Sequence, residues 1–173
     1  VVPAHAGDVA LQQPGARLLF FEQAQADANI ARRLHLDEGA PVIVIKRLRL
    51  SDAVPFCVET SYLPQHRVPG LVAADVFAAP SLYALLREGF GMTFATSDFH
   101  VSVAAAPEIE ADLLGLAPGV GALAMRSTVY DRDGQPAEFL ISWNHPDRVA
   151  FESLRDDSGP VKSVFTDWAS PKA

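Results

Sequence analysis

One pattern occurs twice in this chain, and any fold must accommodate both copies. Residues 30–64, IARRLHLDEGAPVIVIKRLRLSDAVPFCVETSYLP, align with residues 110–146, EADLLGLAPGVGALAMRSTVYDRDGQPAEFLISWNHP. Leu34, Leu36 and Gly39 fall opposite Leu114, Leu116 and Gly119. After a one-residue slip in a turn, Pro55 and Ser61 fall opposite Pro136 and Ser142. Self-similarity of this kind marks a repeated supersecondary unit.

Each copy reads as helix, strand, turn, strand. Asp27 is placed to cap a helix carrying Ile30 and Leu34 at helical spacing, and Pro107 opens the second helix with acids just inside it. Both helices stop at a glycine-containing turn. The turns SDA and DRDG then join two apolar strands, with hairpin chemistry clearest at Asp133-Gly134. Between the copies, PSLYALLREG (80–89) predicts a helix started near Ser81 and ended by Gly89, and 92–106 predicts a long strand. A strand at 16–24 precedes the first copy, and a last one is expected within 147–155. The order β, α, ββ, short α, α, β, α, ββ implies an α+β fold with helices packed on a mixed, mainly antiparallel sheet.

The chain's 173 residues suit one domain, expected over 16–155, with 1–15 as an arm or linker and 156–173 as a tail. Val161, Val164, Phe165 and Trp168 leave that tail divided between docking, on the domain or on a second subunit, and disorder. No apolar run approaches the roughly 18 residues of a membrane span, and the opening residues, with no basic start and apolar core, are not expected to be a signal peptide. The formal charge of −7 repels phosphate backbones, so nucleic acid is not expected as a direct partner. A single cysteine, Cys57, permits neither an internal disulfide nor a zinc cluster, which fits a reducing cytoplasm. Its apolar strand predicts a buried structural thiol. The five histidines have no metal-binding spacing, and no phosphate loop, dinucleotide motif or nucleophile elbow occurs, so neither metal nor cofactor is implied.

Against this acidic background, VIVIKRLRL (42–50) is unusual. Alternation puts Ile43, Ile45, Arg47 and Arg49 on one face of the strand and Val42, Val44, Lys46, Leu48 and Leu50 on the other. Glu59 and Ser61, same-faced on the returning strand, are possible neighbours. The two arginines either form salt bridges at the sheet surface or present planar forks to a ligand's carboxylate or phosphate. Glu138 is a second candidate. It alternates with Leu140, Ser142 and Asn144 against Phe139, Ile141 and Trp143, and an acid on an apolar strand needs water or a donor. Ser81 and Tyr83 come third: the serine either caps its helix or joins free N–H groups in holding an anion, and the tyrosine would add a wall. Arg126, opposite Lys46 in the repeat, fits a structural ion pair or a pocket role. Trp143 and His100 are outlying candidates.

These segments resemble, in order and spacing over about residues 17–151, the UTRA domain of the HutC branch of GntR-type bacterial transcriptional regulators. The carrying residues are IARRLHLDEGAPVIVIKRLRL, PFCVETSYLP, SLYALLREGFG and the run from Ile109 to Phe151. The resemblance implies a chorismate-lyase-like fold, a small-molecule cleft beside an antiparallel sheet, a homodimer, and a separate N-terminal winged helix-turn-helix that reads DNA. It implies that the arginines of 42–50 hold an anion, that Glu138 accepts hydrogen bonds from the effector, and that Ser81 lines the pocket. Family members often place tyrosine where Trp143 or Asn144 stands here.

No helix-turn-helix pattern precedes residue 16, and the chain has no initiator Met. The expectation is therefore a sensor domain detached from a longer repressor, which binds a small anionic metabolite and touches DNA only through the missing domain. It is not expected to be an enzyme. The alternatives are a chorismate-lyase-like enzyme with an anionic substrate, and a dimerisation module with a vestigial pocket. DVALQQPGARLLFF lacks the serine and threonine-rich segment of some phosphate-sensing relatives, which favours carboxylate over phosphate.

Overall fold

The computed structural model describes residues 14–154 and 162–166. Strand β1 (Pro14–Gln25) leads to helix α1 (Ala28–Leu34), then to the hairpin of β2 (Pro41–Ser51) and β3 (Val54–Pro64). A short 3-10 turn (Gln65–Arg67) and helices α2 (Ala73–Ala78) and α3 (Leu82–Phe90) follow. The second copy comprises β4 (Thr96–Ala105), α4 (Glu108–Leu114), β5 (Gly121–Tyr130) and β6 (Pro136–Asn144). Strand β7 (Ala150–Leu154) pairs antiparallel with β8 (Lys162–Thr166). The segment expected as a tail thus contains a strand, while Val161 and Trp168 lie outside the described residues, as do 1–13.

Six strands form one sheet in the order β1-β2-β3-β6-β5-β4, with every pairing antiparallel. This order is symmetric about the β3–β6 seam, so the repeat is longer than the sequence comparison showed. Each copy also includes the strand before its helix, β1 or β4, which takes an outer edge. At the centre Thr60 pairs with Ile141, positions the repeat alignment makes equivalent, as expected if a pseudo-twofold axis runs between them. Each copy even carries its bulge at the same place. Phe56 is the extra residue between the Arg49–Cys57 and Leu50–Pro55 pairs, and Ala137 between Val129–Glu138 and Tyr130–Pro136.

Local chemistry explains the boundaries. Asp27 Oδ1 accepts from Ile30 N at 2.8 Å, as a cap should. The first hairpin turns through Asp52 and Ala53 at φ 47° and 66°, whereas the second uses Gly134 at 73°, with Asp131 Oδ1 accepting from Asp133 and Gln135 N–H groups. Gly89 does not end α3: the helix runs to Phe90, and Gly91 supplies the left-handed cap at φ 64°. An exposed glycine costs a helix only about 1 kcal/mol relative to alanine, too little to stop it. The strand expected from 92 starts only at Thr96, because Met92 and Phe94 are drawn into the core beneath α3.

The sheet buries apolar residues on both faces. On one, Ile43, Ile45, Leu63 and Val129 pack with Val76 of α2, Leu82, Tyr83 and Leu86 of α3, and Phe94. On the other, α1 places Ala31 and Leu34 over Val42, Val44 and Phe139, and α4 places Leu114 over Leu48 and Val58. Each of these helices thereby reaches strands of the other repeat. Lys46 of β2 also forms an ion pair with Glu110 of α4. No helix among the described residues is long and apolar enough to cross a membrane.

Candidate functional site

The α3 side of the sheet carries a buried polar cluster beside its apolar packing. Arg47 stands opposite Glu59, and Ile45 opposite Ser61, in adjacent strands. Beyond the seam, Glu59 faces Ser142 and Ser61 faces Leu140. Alternation along β6 then brings Glu138 to the same side. Arg47 Nη2 donates to Glu59 Oε1, and Arg49 Nη1 approaches the same oxygen at 3.4 Å. From above, the Tyr83 hydroxyl of α3 donates to Glu138 Oε2, and the Tyr83 ring meets Phe94 edge-on at 4.6 Å.

Burial dominates the electrostatics. Arg47 is 7 % exposed, Glu59 5 % and Glu138 0 %. Burial pushes the Glu138 carboxyl above its usual range, assisted by the Glu59 charge and offset by the hydroxyls of Ser61 and Tyr83 and by Arg47. Burial, then the Glu138 carboxylate, pushes the Tyr83 phenol well up, so it stays a donor. The Cys57 thiol, opposite Arg49, is raised by burial too and stays protonated. Arg47 Nε is buried without a hydrogen-bond partner among the described residues, and Ser61 Oγ and Glu138 Oε1, though near enough for the hydroxyl to hold the carboxyl's pKa down, are joined by no bond of ordinary geometry. Protein interiors rarely tolerate such groups, each of which costs about 1–3 kcal/mol when nothing answers it.

The structure therefore brings together Arg47, Arg49, Glu59, Tyr83 and Glu138. Asn144 shares their face at the far end of β6, where its Nδ2 donates to Leu123 O and Ser142 Oγ at 2.9 and 3.0 Å. Ser81 is exposed and caps α3, its Oγ accepting from Ala84 N at 3.3 Å. Trp143, Arg126 and His100 are not brought in. Trp143 packs against the Leu48, Val58 and Leu114 cluster on the opposite face. Arg126 stands opposite Ile141 and His100 opposite Arg126, also on that face, both exposed. Arg126 forms no ion pair among the described residues, so the pairing expected from its equivalence to Lys46 is absent. Ser61 belongs to the cluster, although the sequence marked it only as a possible neighbour of the two arginines; its spacing of two from Glu59 was the signal. A separate surface groove of about 440 Å³ between α2 and α3, lined by Asp75, Pro80, Leu85 and Glu88, includes none of these residues.

Among known families, the UTRA domain model matches residues 10–150. The chain belongs to the UTRA domain family. The transcriptional repressor PhnF of Mycolicibacterium smegmatis is 31% identical over 140 residues, which cover 81% of this chain and 57% of PhnF. The UTRA domain here superposes on the crystal structure of the effector domain of PhnF from Mycobacterium smegmatis with a TM-score of 0.77, at 31% identity, covering 83% of this chain and 87% of that one. It superposes on the ligand-binding domain of a GntR-family regulator from Bordetella bronchiseptica with a TM-score of 0.75, at 28% identity, covering 78% and 87%. The described UTRA domain is accordingly an effector-domain fold of GntR-family transcriptional regulators. The chain spans just over half the length of the curated relatives it matches.

Proposed function

We propose that this UTRA domain senses a small anionic metabolite seated against Arg47 and Arg49, with Glu138 and Ser61 reading the rest of the molecule. The observation that carries this is Arg47 Nε, a buried donor with no hydrogen-bond partner among the described residues, on the same face as the buried Ser61 hydroxyl and Glu138 carboxyl. Arg47 keeps one edge of its guanidinium on Glu59 and turns Nε elsewhere. A planar fork held in this way suits a carboxylate or phosphate oxygen.

In the longer relatives, which are named as HTH-type regulators, such a domain accompanies a DNA-binding one. Occupancy of the site changes the disposition of DNA-binding heads in a cytoplasmic homodimer, provided the ligand prefers one arrangement of the dimer over the other. Tyr83 is the connection: it belongs to α3 but bonds to Glu138 at the site, so a ligand that competes for Glu138 moves or releases the helix. The role is regulatory, not enzymatic. Both Cys57 and Tyr83 are held in their protonated forms by burial, which leaves no activated nucleophile or base of either type at the cluster.

A metabolite screen by thermal shift tests this reading. A ligand that raises the melting temperature of the wild type but not of Arg47→Ala supports it. Turnover of chorismate, or ligand-induced shifts indifferent to Arg47, would overturn it.

A further inference from the structure

The two outer strands of the sheet are equivalent in the repeat, yet only one is built to face solvent along its edge. Strand β1 begins at Pro14, shifts its register with β2 between Leu18 and Phe20, and carries Arg17 and Glu22. Proline, a bulge and charged side chains are the devices that keep an edge from pairing with another chain. From Phe99 to Ala105 β4 has none of these. Its pairing with β5 runs from Thr96 to Ala105 without a register shift, and no Asp, Glu, Lys, Arg or Pro occurs between Phe99 and Ala106. Asp98 is turned back onto β5, where its carboxylate accepts from Thr128 N at 2.8 Å. Among the described residues β4 pairs with β5 alone, which leaves its outer row of backbone groups open. Alternation sends Phe99, Val101 and Val103 to the face that carries the Arg47 cluster, and Phe99 is 41 % exposed and Val103 73 %.

The sequence of this edge selects its partner. A chain of formal charge −7 repels its own copy over most of its surface, but residues 99–106 contain no carboxylate to do so. The segment is also self-complementary. Antiparallel pairing about Val101 sets each Phe99 against the other copy's Val103, and Asp98 against Ala104, so no two like charges stand opposite.

We infer that β4 pairs antiparallel with β4 of a second copy about a twofold axis at Val101, an inference that rests on the homodimer of the proposed function and specifies its interface. The two six-stranded sheets then become one. A twofold axis normal to the sheet keeps both candidate sites on the same face. The cross-strand row Arg47, Glu59, Ser142, Met125, Val101 runs from each polar cluster to that axis, so the interface stands at the end of the site's own row.

Analytical ultracentrifugation of the intact chain and its variants tests this. The wild type should sediment as a dimer at micromolar concentration. Val101→Lys places two ammonium groups face to face across the axis and should weaken association about tenfold or more. Val103→Lys, at a position already largely exposed, serves if the first variant does not fold. Val101→Cys reads the register, because opposed residues of an antiparallel pair lie about 4.5–5.5 Å apart at Cα, within reach of a disulfide. It should form a covalent dimer on oxidation, while Val72→Cys, exposed at the start of α2, should not. The native thiol, Cys57, is buried and does not compete. A dimeric wild type whose association survives the lysine substitutions overturns the β4 interface and leaves the homodimer standing. Equal cross-linking of the two cysteine variants overturns the register at Val101. A monomeric wild type overturns the interface and the homodimer together.

Discussion

The Tyr83 hydroxyl donates to Glu138, tying helix α3 to strand β6 across a sequence separation of 55 residues. Both side chains are buried, so neither can exchange this bond for one to water. Tyr83→Phe keeps the ring against Phe94 but leaves Glu138 without that donor. It should cost about 1–3 kcal/mol of stability, measured by urea denaturation. An unchanged midpoint would mean that Glu138 does not depend on the phenol.

The Arg47–Glu59 pair should be more sensitive to loss of one partner than of both. Glu59→Ala strands the buried Arg47 guanidinium and should cost about 3–5 kcal/mol. The double variant Arg47→Ala/Glu59→Ala should cost less than the sum of the single changes, since it removes the uncompensated charge. A double-mutant cycle by chemical denaturation reads this directly. Strict additivity would show that the two side chains are not coupled.

Glu138 sets a pH dependence whose sign follows from burial. Burial raises its folded-state pKa above the ordinary glutamate value, so the folded chain holds the proton more tightly than the unfolded one. The stability this contributes is fully present below about pH 4.5 and is lost as pH rises through the folded value. Relative to wild type, Glu138→Gln should therefore gain melting temperature progressively as pH is raised from about 4.5. A constant difference across that range would rule out Glu138 as the titrating group.

Two backbone substitutions of opposite kind should both stabilise. Ala53 holds φ at 66°, a conformation costing a non-glycine residue about 1–2 kcal/mol, so Ala53→Gly should raise the melting temperature by a few degrees. Gly89 lies within α3, and an added Cβ would meet only Leu85 Cδ1 at 3.6 Å, an ordinary contact. Gly89→Ala should add about 0.5–1 kcal/mol. Calorimetry of the two variants checks both.

Much of this arrangement was legible in the sequence because short-range rules govern it. The alternation of VIVIKRLRL put Arg47 and Arg49 on one face, and that of VETS put Glu59 and Ser61 together, which pairing across a hairpin then made neighbours. The same rule, applied strictly along AEFLISWN, separates Trp143 from Glu138 and Asn144; its candidacy came from the family pattern, which alternation outweighs. Arg126 and His100 fall to the far face because the register of β4, β5 and β6 aligns them with Ile141; the DRDG turn announces the β5–β6 hairpin, but nothing local sets the register of β4 on β5, which α4 separates in sequence. The Tyr83–Glu138 bond was illegible for the same reason. The equivalence of Arg126 with Lys46 misled in another way. Duplicated backbones keep their geometry while side chains diverge, and where Lys46 finds Glu110 on α4, the corresponding residue on α1 is Ile30.

The crossing of α1 and α4 over the seam bears on how the chain must be made. Leu114 has its apolar floor on Leu48 and Val58, and Leu34 shares a cluster with Phe139, so a ribosome that has released only residues 1–95 has synthesised a hairpin whose partner does not yet exist. Severed between Pro64 and Thr96, the two lengths should remain unfolded apart and regain structure when mixed, like halves of a clasp that closes only on its mate.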